Sequence, residues 1–197
     1  MKKMKLVSLL IFCFFAFGIL EAQVTYKLSY DFATATYTVS ATSAAAYTGN
    51  GARMTGSTQV TIVAPATAGG FQVTNVTSLQ AGATPLNWSN ALEATPSENA
   101  AADYLLFNPN NYTTYSPFNF PAGMEVDLFS FQSNSGCQGD LSLFDNTTDP
   151  FNASVTQTPQ SNFVVLAGGN NNQYTGNTSG AVTCVAPCES EAGSLSY

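Results

Sequence analysis

Short segments in which apolar and polar residues alternate recur along this chain, and they constrain its fold more than any other feature. Every second residue from Val24 to Tyr30 is apolar or aromatic, and these residues share one face of an extended strand because successive strand side chains point to opposite sides. Beyond residue 22, no window of ten residues shows the i, i+3, i+4, i+7 spacing of an amphipathic helix. The chain is therefore predicted to be all-β.

Eight to ten short strands separated by turns predict a β-sandwich. Residues 77–102 and 108–122 lack alternation and are predicted to be irregular connections, with one helical turn available at 90–94. The predicted strands are 24–30, 36–40, 58–63, 71–76, 103–107, 124–131, 140–144, 163–166 and 181–185.

The first 22 residues have the three parts of a secretory signal peptide. A lysine-rich start precedes an unbroken apolar run at 6–20, and the small residue Ala22 stands before the predicted cleavage site. The run is shorter than the about 20 residues that span a bilayer, so we expect no membrane insertion of the mature chain. The predicted organisation is a signal peptide at 1–22, a sandwich domain at 23–186 and a tail or linker at 187–197. We expect secretion, to the extracellular space or the cell surface.

The mature chain is strongly acidic. Beyond residue 22, Lys27 and Arg53 oppose eleven carboxylates, which gives a formal charge of −9. Nucleic-acid binding requires clustered basic residues that displace counterions, so nucleic acid and anionic lipid are excluded as partners. Divalent cations are compatible with this charge.

The chain contains no histidine. This removes the most common general base near neutral pH and the usual partner of a Ser or Cys nucleophile. Glu125 and Asp127 share one face of a predicted strand, but no sequence feature there raises a proton affinity as a glycosidase acid requires. We therefore predict that the protein is not an enzyme.

Three cysteines remain once the signal peptide is removed. Outside the cytoplasm thiols tend to pair, and Cys137 in a Gly-bounded turn is predicted to form a disulfide with Cys184 at the end of a strand. Cys184–Cys188 is the alternative pairing, across a tight loop. In the predicted pairing, Cys188 is left as a free thiol or an intermolecular partner.

Oxygen ligands cluster in the segment 140–149, which we name the acidic loop. Hard cations such as Ca²⁺ prefer such ligands at close spacing, although the EF-hand pattern is absent. The alternative is that these side chains cap turns by hydrogen bonding to nearby backbone. The predicted calcium ligands are Asp140, Asp145, Asn146 and Asp149.

Aromatic residues in the two irregular connections form a third candidate group. Aromatic faces beside amides and hydroxyls can stack on sugar rings, and Trp88, Tyr112 and Tyr115 are the predicted ligand-binding residues. The alternative is that these aromatic residues close the ends of the sandwich as part of its core.

Several short motifs follow one another along the chain. The succession LSYD at 28–31, Trp88, DY at 103–104 and AGMEVDLFSF at 122–131 resembles the cohesin-like fold. The succession CQGD at 137–140, DNTTDPF at 145–151 and YTGN at 174–177 before Cys184 is similar to a domain at the front of secreted, modular surface proteins of gliding-type bacteria.

The resemblance implies a jelly-roll-like sandwich displayed for adhesion or protein binding, with Ca²⁺ as a candidate ligand and no catalytic residues. We therefore predict a secreted, non-enzymatic adhesion or scaffolding module whose partner is an extracellular protein or glycan. A carbohydrate-binding module that uses the loop aromatics is the second hypothesis, and a structural subunit of an extracellular fibre is the third.

Overall fold

The alternating segments form strands in the computed structural model, which describes residues 23–49, 53–54, 57–80, 84–114, 119–151, 161–166 and 171–185. The 3-10 turn Ser97–Asn99 and nine strands lie in these ranges. The strands are β1 (Val24–Asp31), β2 (Thr36–Ser43), β3 (Val60–Pro65), β4 (Val73–Ser78), β5 (Trp88–Ala94), β6 (Ala102–Pro109), β7 (Glu125–Ser133), β8 (Ser142–Leu143) and β9 (Tyr174–Asn177).

Two sheets pack face to face as a sandwich. The first sheet has the strand order β4-β7-β2-β1-β9 and the second has the order β5-β6-β3-β8. All pairs are antiparallel except β1 with β9, which run parallel. The prediction of an all-β sandwich with eight to ten strands is therefore confirmed for the described residues.

The β1–β2 hairpin follows the predicted alternation. The backbone N–H of Ala33 and the hydroxyl of Thr34 both donate to the Asp31 carboxylate at 2.9 Å, which closes the turn. Val24, Tyr26 and Leu28 point into the core with at most 1% exposure.

Aromatic side chains fill the space between the sheets. Phe129 of β7 stacks on Trp88 of β5 with ring centres 4.7 Å apart and lies 4.8 Å from Phe107 of β6. The β2–β7 pairing contains a bulge, because Val39 faces Phe129 while the next residue of β2 faces Asp127. This bulge places both Leu128 and Phe129 in the core. The alternation of β7 therefore changes face at this bulge.

Strand β6 is buried on both of its faces, which explains the apolar run at 104–107 within the predicted strand 103–107. One face meets the central core through Leu105 and Phe107. The other face carries Tyr104 and Leu106 in a second cluster, covered by aromatic residues of the segment that follows β8.

Two parts of the predicted strand pattern are wrong. Residues 90–94 belong to β5, where pairing with β6 and a bulge between Asn90 and Leu92 override the weak local pattern. The segments 163–166 and 181–185 contribute only single bridges, at Phe163, Leu166 and Val182, instead of strands.

Strand β9 was not predicted at all. Its Tyr-Thr-Gly-Asn sequence contains a glycine that weakens strand propensity, and Gly176 has φ +154°. Pairing with β1 supplies the missing stabilisation.

Among the residues that the structure describes, no helix is long and apolar enough to cross a membrane. The predicted signal peptide, Tyr115, Cys188 and the 187–197 tail lie outside the described residues.

Candidate functional site

A groove of about 640 Å³ opens on the side of the sandwich where the sheets end in their two shortest strands, β8 and β9. Ser142 of β8 and the turn at 145–147 form one wall. Tyr174–Asn177 forms a second wall, and residues 179–181 also line the groove. The groove therefore lies at the open edge between the two sheets.

The segment that follows β9 crosses from one sheet to the other and fixes this edge. The N–H of Thr178 donates to the carbonyl of Tyr26 at 2.8 Å, which holds the start of the crossing on β1. Leu141 and Val182 then exchange two backbone hydrogen bonds of 3.0 and 2.7 Å beside β8.

The predicted disulfide is confirmed and closes the far end of the crossing. Cys137 and Cys184 are bonded with their Cα atoms 5.4 Å apart. Disulfides persist in oxidising compartments, so the bond fits an extracellular protein. It ties the turn after β7 to the chain segment that borders the groove.

A network of amides and one phenol stiffens the β9 wall. The Tyr174 hydroxyl donates to Oδ1 of Asn177 at 2.7 Å, and Nδ2 of Asn177 donates to the carbonyl of Phe144 at 3.0 Å. The side chain of Asn162 also donates to Phe144 O, at 2.8 Å. Burial raises the pKa of Tyr174, so its hydroxyl keeps its proton and remains a donor.

Asp145 contributes a carboxylate to the groove. Its Oδ1 accepts hydrogen bonds from the Thr147 hydroxyl at 2.6 Å and from the backbone N–H groups of Thr147 and Thr148 at 2.7 and 3.1 Å. These donors, the Thr147 hydroxyl first, lower the pKa of Asp145 to about 2. Asp145 is therefore ionised at neutral pH and is unsuited to act as a general acid.

The other predicted calcium ligands hold turns or lie apart. Asp149 Oδ1 accepts from the Tyr104 hydroxyl at 2.7 Å and from the Phe151 N–H at 2.8 Å. Oδ1 of Asn146 accepts from the N–H of Asn162 at 2.8 Å. Asp140 is exposed. Burial raises the pKa of Tyr37 to about 12, and the negative charge of Asp140 contributes to this rise.

Asp145 and Asp149 thus accept from backbone N–H groups two or three residues further on, which is the geometry of turn capping, whereas Asn146 accepts from a more distant segment. The described residues contain no group of three or more acidic or cysteine side chains placed to hold a metal ion. Calcium binding by the acidic loop stays a prediction.

The two predicted aromatic residues that the structure describes, Trp88 and Tyr112, lie in different environments. Trp88 is 5% exposed and stacked on Phe129 in the core, whereas Tyr112 is 44% exposed in a separate turn. The geometry of Trp88 is that of a core residue. Sugar binding by Tyr112 stays a prediction.

The carboxylates of β7 lie on its outer face. Glu125 forms an exposed ion pair with Lys27 at 2.9 Å, and Asp127 accepts a hydrogen bond from the Ser40 hydroxyl at 2.7 Å. Both acids are therefore engaged at the surface, Glu125 with β1 and Asp127 with β2.

The sequence prediction missed the groove because its walls come from distant segments. Tyr174 and Asn177 were noted only as part of a motif, and the strand they form carries no alternating signal. No protein-family model, no curated protein and no solved structure matches the chain. The resemblance to cohesin-like domains therefore stays a prediction.

Proposed function

We propose that the chain is a secreted, non-enzymatic adhesion module that binds an extracellular partner in the groove between β8 and β9. The observation that carries the proposal is the groove itself, which is built from both sheets and held by the Cys137–Cys184 disulfide. Its size falls in the range of about 300–1,000 Å³ that ligand sites typically occupy.

The chemistry of the groove supports binding over turnover. Asp145 has a pKa of about 2, whereas a general acid needs a pKa raised toward the working pH. Hydroxyl and amide groups of Ser142, Thr147 and Asn177 line the same groove. These groups recognise a ligand by hydrogen bonding without activating a nucleophile.

An attachment assay with one blocking variant tests the proposal. A Cβ at Gly180, which borders the groove, would meet no atom within 4 Å, so Gly180→Trp can add a side chain there without a clash at its root. Ala68→Trp adds the same side chain to an exposed turn outside the groove and is the matched control.

Beads coated with the exported chain are measured for attachment to extracellular matrix from the producing culture. Attachment that Gly180→Trp abolishes and Ala68→Trp preserves is the expected result. Equal attachment by both variants would refute the role of the groove. Concentration-dependent assembly in light scattering, without attachment to matrix, would favour the fibre hypothesis instead.

A substrate screen tests the non-enzymatic part of the proposal. Glycosides, esters and peptides incubated with the exported chain should remain intact. Hydrolysis that is lost in Glu125→Gln or Asp127→Asn would contradict the proposal and assign catalysis to the outer face of β7.

A further inference from the structure

The residues lining the groove narrow the chemistry of its ligand. Most polar groups of the described lining residues are neutral hydroxyls and amides, and among these residues the carboxylate of Asp145 is the charged group. Lys27 and Arg53, the basic residues beyond position 22, do not line it. An anionic ligand would therefore meet a negative wall with no cation to pair with it.

The wall leaves room for the ring of a ligand close to the backbone. The ring of Tyr174 packs against Tyr26 with ring centres 5.3 Å apart, so it is fixed in place before any ligand arrives. Gly176 and Gly180 leave space next to the backbone, since a Cβ at either position would meet no atom within 4 Å. A ligand ring can therefore approach the main chain closely.

The wall is also preorganised. The hydroxyl of Tyr174 and the amide of Asn177 are held by each other and by the carbonyl of Phe144. A ligand that bonds to such fixed groups loses little free energy to ordering the protein. An ionised acceptor such as Asp145 forms stronger hydrogen bonds with hydroxyl donors than a neutral acceptor does.

From these observations we infer that the groove binds a neutral glycan, with sugar hydroxyls bonded to Asp145 and to the amides and hydroxyls of β8 and β9. This inference rests on the proposed adhesion function and names the ligand class of the same groove. It differs from the loop-aromatic hypothesis, because it uses neither Trp88 nor Tyr112.

Calorimetric titration with neutral oligosaccharides tests the inference. The probes are cello-, malto-, xylo- and β-1,3-gluco-oligosaccharides, with oligogalacturonate as the anionic comparison. We expect one neutral series to bind, with affinity reduced at least about tenfold by Gly180→Trp and unchanged by Ala68→Trp and Tyr112→Ala. A tenfold loss corresponds to about 1.4 kcal/mol of binding free energy.

NMR of the unmodified chain supplies a measurement that does not depend on a variant folding. The neutral sugar should shift the amide resonances of Gly176 and Gly180 and leave that of Ala68 in place. Shifts confined to Tyr112 and its neighbours would overturn the assignment to the groove.

The remaining outcomes separate the two proposals. If no neutral oligosaccharide binds while matrix attachment stays sensitive to Gly180→Trp, the glycan inference is wrong and the adhesion function stands, with a peptide strand as the ligand to test. Tighter binding of oligogalacturonate than of any neutral series would also overturn the inference. If the unmodified chain neither binds a sugar nor attaches to matrix, both proposals are wrong.

Discussion

Asp103 offers the sharpest test of how this sandwich is held together. Its side chain is fully buried at the start of β6, and its carboxylate accepts hydrogen bonds from two other segments. Oδ2 accepts from the backbone N–H of Phe71 at 2.9 Å and from that of Thr67 at 3.4 Å. Oδ1 accepts from the hydroxyl of Thr95. The carboxylate thus fastens the β3–β4 loop and the end of β5 to β6.

Replacing Asp103 with alanine should destabilise the fold strongly. A buried donor that loses its partner costs about 1–3 kcal/mol. The N–H of Phe71 and the hydroxyl of Thr95 both lose their acceptor, while the longer bond from Thr67 contributes less. We expect the free energy of unfolding to fall by about 3–5 kcal/mol, a large share of the about 5–15 kcal/mol of a typical domain.

Asp103→Asn should cost much less, about 1 kcal/mol. Its amide oxygen can take the place of Oδ2 and accept from Phe71, while the new NH₂ donates to Thr95, whose hydroxyl can also act as an acceptor. The loss is then the difference between a charge-assisted and a neutral hydrogen bond.

Urea denaturation of the variants measures these differences. Glu125→Ala is the control, because it removes a carboxylate whose exposed ion pair with Lys27 is worth about 0–1 kcal/mol. An Asp103→Ala variant within about 1 kcal/mol of the unmodified chain would refute this account of the loop. Equal losses in the Asn and Ala variants would refute the proposed exchange of donor and acceptor at Thr95.

Three further predictions concern the groove and its surroundings. Replacing Cys137 and Cys184 with alanine should lower the free energy of unfolding by about 4 kcal/mol, the value of the loop-entropy model for a separation of 47 residues. A reductant should destabilise the unmodified chain by the same amount and have no effect on the variant. The pKa of Asp145 is lower in the folded state, about 2, than the about 3.9 of an unfolded chain. The ionised carboxylate therefore contributes to stability above about pH 4, and this contribution is lost as the pH falls toward 2. Asp145→Asn should remove this pH dependence from the acid-denaturation curve, and the effect should be small because the group is exposed. Calcium binding by the acidic loop should raise the melting temperature in millimolar calcium relative to EDTA, and superimposable curves would favour turn capping.

The elements that the sequence predicts are those with strong local patterns. The apolar alternation of 24–30 is enough to place β1, because one face meets the core along the whole strand. The apolar run at 104–107 likewise indicates that β6 is buried on both faces. In these elements the local pattern and the tertiary environment agree.

The elements that the sequence does not predict depend on neighbours that are distant in the chain. Strand β5 forms because β6 is available to pair with it, although residues 90–94 alone favour a helical turn. Strand β9 has four residues and a glycine, and its pairing with β1 joins segments about 150 residues apart. The segments around Phe163 and Val182 show the opposite case: their local pattern predicts strands, but each of these residues forms only an isolated bridge.

The groove could not have been predicted for the same reason, yet its position follows from the topology. A sandwich made of two open sheets leaves unpaired strand edges, and exposed edges invite uncontrolled association unless they are short or covered. Here β8 has two residues and β9 has four, and the Asn177 side chain reaches from β9 to the Phe144 carbonyl just after β8. The disulfide then holds the crossing segment beside them. The features that keep this edge from pairing with other chains are thus the same ones that shape a rigid polar groove, so stability and ligand binding depend on one set of contacts.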